Sequence, residues 1–377
     1  MKHRIVLTGG GTGGHIYPAL SVHDELLRQT KDIDLLYIGA KDHMEERLAA
    51  ERGIKFYGLD VSGLPRKASL SLIVWVAQMS RSMYECRKIF KDFAPTAVLG
   101  TGGYASAPAL FAAKQLNIPF AVHEPDAYPG LVNKLFSRWA NIVSLSMEGA
   151  KTRLPGVCEQ VIVNGNPVGA NFVNPLLHDA ACQKLEIRTD LKTIIVTGGS
   201  QGARALNETL INALPQLLDS GKMQIIHQCG EKNLEEVKKR VDSRYLSSGQ
   251  YIPRAYFEDL ALAYVASDLA VCRAGAMTLA ELSALGKPAV FIPYPHAAQN
   301  HQFHNAKYFE SKGAARVIRQ DELSVERFVA TIKELVLPAK DSETLSSMQK
   351  AMASLGRPDA AKSLASQLIK LSSDQVC

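Results

Sequence analysis

Short apolar runs alternate with longer amphipathic segments along almost the whole chain. The apolar runs are predicted strands, and they fall at Ile5–Leu7, Leu35–Ile38, Ala97–Leu99, Phe120–Val122, Ile142–Leu145, Thr193–Thr197, Gln224–Gln228, Leu269–Cys272 and Ala289–Ile292. Strands that alternate with helical segments favour parallel sheets covered by helices on both faces. The pattern therefore predicts an α/β protein with doubly wound sheets.

The opening of the chain is repeated about half a chain later. Ile5-Val-Leu-Thr-Gly-Gly10 is echoed by Ile195-Val-Thr-Gly-Gly199, and each is a strand that ends in glycines before a helix. Two Rossmann-like domains explain the repeat, and the turn-rich stretch Val163–Pro167 marks their boundary. We predict domains at residues 1–165 and 166–357, followed by an amphipathic terminal helix within 358–377.

Composition narrows the class of protein. The 377 residues carry a net charge of +6 and 46% hydrophobic residues, which is ordinary for a globular protein. This weak basic excess suits anionic small molecules or an anionic membrane surface and does not argue for nucleic acid. The six cysteines are widely spaced, which predicts reduced thiols in a cytosolic protein. No signal peptide is expected, and the longest apolar stretch, Leu70–Met79, is about half of what a membrane span needs.

Glycine-rich loops follow three of the predicted strands. They are GGGTGGH (Gly9–His15), GTGG (Gly100–Gly103) and GGSQGA (Gly198–Ala203). Glycines let the backbone approach a ligand closely, and a helix that begins there offers free N–H groups and a positive dipole end. Several such loops in one protein predict two phosphate-bearing ligands, a donor and an acceptor. A sugar nucleotide is the simplest ligand of this kind.

Two other interpretations of these segments are weaker. Gly9, Gly11 and Gly14 match the dinucleotide fingerprint of dehydrogenases, but that fingerprint needs an acid near the end of the second strand, where none occurs before Asp42. Asp32-Ile-Asp34 has the spelling of a metal–nucleotide motif but precedes its strand, so we expect solvated surface there and no metal site.

A further phosphate-binding turn is predicted at Arg273–Thr278, between a strand and a helix. Glu281 in that helix would accept hydrogen bonds from a ribose diol, or else serve only as a partner of the helix dipole. The polar loop from Pro293 to Gln302 is rich in side-chain donors and is a binding loop or a solvated connection.

Taken together, the motifs GGGTGGHIYPAL, GLPRKA, GTGGYASAPAL, HEPDAYPGLVNK, GNPV, TGGSQGARALN, CRAGAMTLAEL and PHAAQNHQFHNA resemble, in order, the bacterial UDP-N-acetylglucosamine:N-acetylmuramyl-(pentapeptide) pyrophosphoryl-undecaprenol N-acetylglucosamine transferases. The resemblance implies the GT-B fold, with two Rossmann-like domains facing a central cleft and the final helix returning to the first domain. It implies inverting transfer of GlcNAc from UDP-GlcNAc to the 4-hydroxyl of MurNAc in undecaprenyl-pyrophosphoryl-MurNAc-pentapeptide. It further implies a peripheral protein at the cytoplasmic face of the cell membrane, acting in peptidoglycan synthesis. No cofactor is expected.

The resemblance also assigns binding residues by position. The expected substrate-binding residues are Thr12, Gly13, Gly14, Asp126, Ser200, Phe257, Ala276, Met277, Thr278, Leu279, Ala280, Glu281 and Gln302. Ser200 would lie on the second glycine loop, Phe257 near the uracil and Gln302 near the GlcNAc hydroxyls, while residues 276–281 would hold the diphosphate and ribose. Asp126 stands where the family often has Asn, and Gly169 where some members have Arg.

Inverting transfer needs a base for the acceptor hydroxyl. His15 follows the first glycine loop, and an unperturbed imidazole titrates near neutral pH. Glu124, directly after a strand, is the competing base; the sequence favours His15 narrowly. A UDP-sugar 2-epimerase or a non-catalytic nucleotide-binding module would have a similar architecture without a lipid acceptor.

The segment from Arg66 to Lys91 carries six Lys/Arg, one acid and an apolar run. This combination is typical of docking on anionic lipid and equally of a buried helix with a charged rim. The resemblance favours the membrane-docking interpretation.

Overall fold

The computed structural model describes residues 2–65, 70–156, 160–337 and 344–374. The chain forms two compact units, one of residues 1–169 with 357–377 and the other of residues 170–356. Each unit is built on one parallel sheet with helical crossovers. The predicted α/β class with two doubly wound sheets is therefore confirmed.

The strands, in chain order, are β1 (His3–Thr8), β2 (Ile33–Ala40), β3 (Phe56–Leu59), β4 (Ala97–Gly100), β5 (Phe120–Glu124), β6 (Ile142–Leu145), β7 (Gln160–Val163), β8 (Lys192–Thr197), β9 (Met223–Gln228), β10 (Tyr251–Arg254), β11 (Leu269–Cys272), β12 (Ala289–Phe291) and β13 (Ala315–Val317). The α-helices are α1 (Gly13–Gln29), α2 (Met44–Glu51), α3 (Leu70–Phe93), α4 (Ala107–Gln115), α5 (Leu131–Phe136), α6 (Ala170–Val173), α7 (His178–Leu185), α8 (Arg204–Leu218), α9 (Leu234–Arg240), α10 (Ser243–Ser247), α11 (Leu260–Val265), α12 (Ala276–Ala284), α13 (His301–Ser311), α14 (Val325–Val336), α15 (Thr344–Leu355) and α16 (Ala360–Ser373).

In the first unit the described strands lie in the order β3-β2-β1-β4-β5-β6-β7. The chain runs outward from β1 to β3 and then returns to place β4 on the other side of β1. In the second unit the order β10-β9-β8-β11-β12-β13 reverses in the same way between β8 and β11. In open parallel sheets such a reversal leaves a crevice at the carboxyl ends of the two strands, where ligands bind.

The core of the first unit includes the last helix of the chain. Leu364, Ala365 and Leu368 of α16 are fully buried in one cluster with Ile5 and Leu7 of β1. Complete burial of one large apolar side chain is worth about 1.5–3 kcal/mol. Helix α16 is therefore an integral part of the first unit.

Four strands were not anticipated from the apolar pattern, namely β3, β7, β10 and β13. All four are the outermost strands of their sheets. An edge strand has one hydrogen-bonded neighbour and keeps contact with solvent, so its sequence need not be continuously apolar. Strand β10 even contains Pro253, a residue that edge strands tolerate.

Within the described ranges, no helix combines the length and apolarity that crossing a lipid bilayer requires. Cys86, Cys182, Cys229 and Cys272 are buried free thiols. Cys158 and Cys377 lie outside the described residues.

Candidate active site

The reversal point of the first sheet is closed by two glycine loops that interlock. The Gly10 N–H donates to the Gly102 carbonyl (3.3 Å), and the Thr101 N–H donates to the Thr8 carbonyl (2.9 Å). Gly103 has a φ of +77°, and a Cβ atom there would lie 2.0 Å from the Gly10 carbonyl oxygen. Only glycine fits this crossing, which brings the loops after β1 and β4 together.

His15 lies in the first turn of α1, directly above this crossing. Its Nδ1 is 3.0 Å from the Thr101 carbonyl oxygen. A carbonyl can only accept, so Nδ1 carries the proton and the lone pair of the neutral ring is on Nε2. The Thr101 hydroxyl donates to the backbone carbonyl of His15 at 2.5 Å, so one buried residue fixes both the ring and the backbone of His15.

Helix α1 presents its amino end at the same place. Thr12 is the extended N-cap residue, and its carbonyl accepts the N–H groups of His15 and Ile16. Gly13 and Gly14 form the first turn, whose N–H groups lie ahead of the repeating hydrogen bonds of the helix. No acidic residue occupies that turn. The arrangement suits a phosphate group.

Glu124, the other candidate base, ends β5 and is only 1% exposed. One carboxylate oxygen accepts from the Asp126 N–H (2.9 Å), and the other accepts from the Gly130 N–H (3.0 Å) and the Asn133 amide (2.8 Å). Burial raises the pKa of the Glu124 carboxyl to about 8; nearby Asp126 adds to the rise, and the three donors oppose it. Glu124 thus organises the loop that carries half-buried Asp126.

In the second unit, β8 and β11 end side by side at the reversal point, with Thr197 opposite Cys272. Ser200 is exposed in the loop Gly198–Ala203, and Gly275 is the N-cap of α12. The first turn of α12 also lacks an acidic residue. Here the predicted residues differ in orientation. Met277, Thr278 and Ala280 are half-buried, whereas the side chains of Ala276 and Leu279 face the core.

Glu281 lies in the second turn of α12 and is half-buried. Burial raises its pKa to about 7. Phe257 follows β10, is largely buried, and donates its N–H to the Gln228 side-chain oxygen (3.0 Å). Gln302, at the start of α13, accepts the Tyr294 N–H at 2.9 Å. The loops that carry Ser200, Phe257, residues 276–281 and Gln302 all follow carboxyl ends of the second sheet.

The Asp32-Ile-Asp34 motif lies at the amino end of β2. The glycine loops follow the carboxyl ends of the strands, so the motif lies at the other end of the first sheet from them. Asp34 pairs there with Lys2 at 2.8 Å. Among the described residues, no group of three or more His, Cys, Asp or Glu side chains is placed to hold a metal ion.

Three residues that are hydrogen-bonded to candidate site residues were not identified from the sequence. Thr101 and Asn133 lie inside motifs already singled out, GTGG and HEPDAYPGLVNK. The contact of Thr101 with His15 joins two loops 86 residues apart, whereas Asn133 bonds to Glu124 nine residues earlier in its own motif. Gln228 ends a strand that carries no recognisable motif. The contacts of Thr101 and Gln228 are tertiary, and local sequence does not reveal them.

An exposed apolar surface lies elsewhere on the first unit. On α3, Ile73 is 67% and Tyr84 is 72% exposed, and the cations Arg81, Arg87 and Lys88 are exposed on the same helix. Arg66 and Lys67 of the predicted basic segment lie outside the described residues. A second apolar group, not predicted from the sequence, comprises Leu131, Leu135 and Trp139, with the Lys114 amine 3.1 Å above the Trp139 ring.

Comparison with known proteins places this chain in a family. Residues 5–144 match the glycosyltransferase family 28 N-terminal domain, and residues 193–364 match the C-terminal domain of the same family. A UDP-N-acetylglucosamine:N-acetylmuramyl-(pentapeptide) pyrophosphoryl-undecaprenol N-acetylglucosamine transferase of Natranaerobius thermophilus is 36% identical, covering 95% of this chain and 97% of that protein.

Solved structures agree with this result. The crystal structure of Acinetobacter baumannii MurG superposes with a TM-score of 0.74 at 28% identity, covering 98% of this chain and all of that one. A UDP-GlcNAc 2-epimerase from Neisseria meningitidis shares the fold alone, with a TM-score of 0.64 at 17% identity over 98% of this chain and all of that one. The chain therefore has the GT-B fold and belongs to the UDP-N-acetylglucosamine:N-acetylmuramyl-(pentapeptide) pyrophosphoryl-undecaprenol N-acetylglucosamine transferases, glycosyltransferases of family 28.

Proposed function

We propose that this chain transfers GlcNAc from UDP-GlcNAc to the 4-hydroxyl of MurNAc in undecaprenyl-pyrophosphoryl-MurNAc-pentapeptide, with inversion at the anomeric carbon. The observation that carries the proposal is similarity over 95% of the chain to a relative named for the transfer of N-acetylglucosamine. The glycine-rich loops at the reversal point of each sheet support it, because their geometry suits phosphate and donor and acceptor each carry a diphosphate.

The first unit binds the acceptor in this proposal. The amino end of α1, with Thr12, Gly13 and Gly14, receives the acceptor diphosphate, because unpaired N–H groups and the helix dipole stabilise negative charge there. Asp126 contacts the acceptor from the loop held by Glu124. His15, one residue beyond Gly14, then lies within reach of the sugar attached to that diphosphate.

His15 is the base in this mechanism. The Thr101 carbonyl, 3.0 Å from Nδ1, keeps the proton on that nitrogen, and Nε2 is therefore the basic atom. Glu124 is less suited, since its oxygens already accept three hydrogen bonds within its own loop. A positioned base of this kind typically contributes about 10²–10⁴-fold to the rate.

The second unit binds the donor. The amino end of α12 and the loop with Ser200 receive the UDP diphosphate, Glu281 accepts from the ribose diol, Phe257 lies by the uracil and Gln302 meets the GlcNAc hydroxyls.

In the reaction, the acceptor O–H bond breaks as its proton moves to His15 Nε2. The oxygen bonds to C1 of GlcNAc from the face opposite UDP, the C1–phosphate oxygen bond breaks, and UDP departs with the electron pair. Helix N-termini stabilise the charge that develops on UDP.

The same proposal places the protein peripherally on the cytoplasmic face of the membrane, where its lipid-linked acceptor resides. Exposed Ile73, Val74 and Val76 on α3 would enter the interface while exposed basic residues of that helix meet anionic headgroups. Each cation near such a surface adds about 1 kcal/mol.

The test of the activity is incubation of the full chain with UDP-GlcNAc, with and without the lipid-linked acceptor. Acceptor-dependent release of UDP together with a disaccharide product is the expected result. Conversion of UDP-GlcNAc without acceptor would indicate an epimerase, hydride transfer with a nicotinamide cofactor would indicate a dehydrogenase, and binding without turnover would indicate a nucleotide-binding module. Any of these three outcomes would contradict the proposal.

A further inference from the structure

A buried amide lies between two loops of the proposed donor site. Gln228 is the last residue of β9 and is 2% exposed. In the sheet register it is paired with Thr197, the last residue of β8, on one side and with Arg254, the last residue of β10, on the other. It therefore stands between the two loops that follow those strands.

The side chain of Gln228 is hydrogen-bonded to both loops. Its oxygen accepts the Phe257 N–H at 3.0 Å, and its amide nitrogen donates to the Thr197 hydroxyl oxygen at 3.2 Å. Because a backbone N–H can only donate, the oxygen must face Phe257, and this settles which way the amide is turned. The Thr197 oxygen also accepts the Gly199 N–H at 3.1 Å. A continuous chain of hydrogen bonds thus runs from the glycine loop to the Phe257 backbone.

The surrounding backbone is held independently of this side chain. The Cys229 N–H donates to the Arg254 carbonyl (3.0 Å), and the Gly230 N–H donates to the Ala255 carbonyl (3.1 Å). Asn207 and Asn233 both donate to the Cys229 carbonyl, at 2.9 and 2.8 Å. The sheet and its loops thus keep many bonds without the Gln228 side chain, so its removal should shift the loops rather than unfold the unit.

We infer that Gln228 is a positioning residue for the nucleotide site: it fixes the glycine loop 198–203 and the Phe257 loop relative to each other. The inference rests on the proposed function in one respect, that these two loops bind the diphosphate and the uracil of UDP-GlcNAc. Gln228 contacts no ligand in this role. It acts because two loops that grip opposite ends of one nucleotide must be held at one spacing, and small displacements of binding groups weaken binding strongly.

The same strand supplies a matched control. Gln224 is also fully buried, is paired in register with Thr193, and donates to the Thr193 hydroxyl at 2.8 Å. Its other partner is the backbone of Arg188. It therefore repeats the amide–threonine contact of Gln228 at the amino edge of the sheet, away from the nucleotide loops.

The experiment compares Gln228→Leu with Gln224→Leu in the full chain. Each change removes a buried amide of similar size, so both should lower the thermal stability. Only Gln228→Leu should weaken UDP binding in calorimetry, by about tenfold, because unpaired buried groups displace the loops. In turnover it should raise KM for UDP-GlcNAc and leave KM for the lipid acceptor unchanged.

Thr197 provides a second route if Gln228→Leu fails to fold. Thr197→Val removes the hydroxyl and should weaken UDP binding, whereas Thr197→Ser retains it and should bind as the parent does. Equal UDP affinity in Gln228→Leu and the parent, or equal weakening in Gln228→Leu and Gln224→Leu, would overturn the inference. A parent chain that binds no UDP at all would instead overturn the proposed function, so the two failures are distinguishable.

Discussion

Glu281 gives a prediction that can be worked out in pH terms. Burial raises its pKa to about 7 in the free protein. The two hydroxyls of a ribose donate strong hydrogen bonds only to an ionised carboxylate. Binding therefore selects the deprotonated form of Glu281. At pH 6 about one molecule in eleven is ionised, and at pH 8 about ten in eleven are, so the affinity for UDP-GlcNAc should rise roughly tenfold across this range.

The assay is calorimetric titration of the full chain with UDP-GlcNAc at several pH values. UDP-GlcNAc is the right ligand because its diphosphate is esterified at both ends and does not itself titrate near neutrality. Glu281→Gln should abolish the pH dependence. Glu281→Ala should weaken binding by roughly 1.5–3 kcal/mol, the value of a hydrogen bond to a charged group, and leave the fold intact.

A matched control tests the competing role of Glu281 as a partner of the helix dipole. Glu326 lies in the first turn of α14 and is a carboxylate that interacts with a helix end. Glu326→Ala should change stability slightly and UDP-GlcNAc affinity not at all. If the parent affinity is flat between pH 6 and pH 8, or if Glu281→Ala binds as tightly as the parent, the assignment of Glu281 to the ribose is refuted.

The remaining predictions address the base, the leaving group and the membrane. His15→Ala should cut kcat by about 10²–10⁴-fold with little change in UDP-GlcNAc affinity, and the acidic limb of the pH–rate profile should vanish; a raised acceptor KM with an unchanged profile would transfer the role to Glu124. At pH 9, where the Glu124 carboxyl is mostly ionised and accepts three hydrogen bonds, Glu124→Gln should lower the free energy of unfolding by about 1–3 kcal/mol, because an amide NH₂ would face a donor in its loop; an unchanged denaturant midpoint at that pH would contradict this. Activity should survive exhaustive EDTA treatment, since helix N-termini stabilise the charge on departing UDP. Complete loss of activity that one divalent ion restores would contradict this prediction. Replacing Arg81, Arg87 and Lys88 with Glu should lower both the affinity for anionic vesicles and the salt sensitivity of that binding, while turnover of a water-soluble acceptor stays the same. The control is a charge reversal of the same size at the basic end of α9. Equal vesicle binding by mutant and parent would refute the assignment of α3 as a membrane-docking surface.

The strands that were predictable from the sequence are those in the middle of each sheet. Ile5, Val6 and Leu7 of β1 are fully buried, as are Ile194, Ile195 and Val196 of β8, and continuous burial demands continuous apolar sequence. The outermost strands escape this demand. Tyr57 of β3 and Val163 of β7 are at least 40% exposed, so their short sequences look like loop.

The loops of the candidate sites were predictable because their chemistry is local. A strand that ends in glycines and is followed by a helix specifies its own anion-binding geometry within about ten residues. The positions of single side chains were not predictable in this way. The contact of His15 with Thr101 joins residues 86 apart, and that of Gln228 with Phe257 joins residues 29 apart. Such pairings depend on which strands become neighbours.

The route of the chain through its two units has a consequence for biosynthesis. The first unit takes its last helix from the far end of the chain: His3 Nδ1 contacts the Ser372 hydroxyl at 2.9 Å, across 369 positions of sequence. Domains generally fold as units while they are synthesised, and non-local contacts form slowly. All of the second unit emerges from the ribosome before α16 does, so the part that begins first is completed last. Until then the apolar side chains that α16 will cover, among them Ile5 and Leu7, lack their final partner.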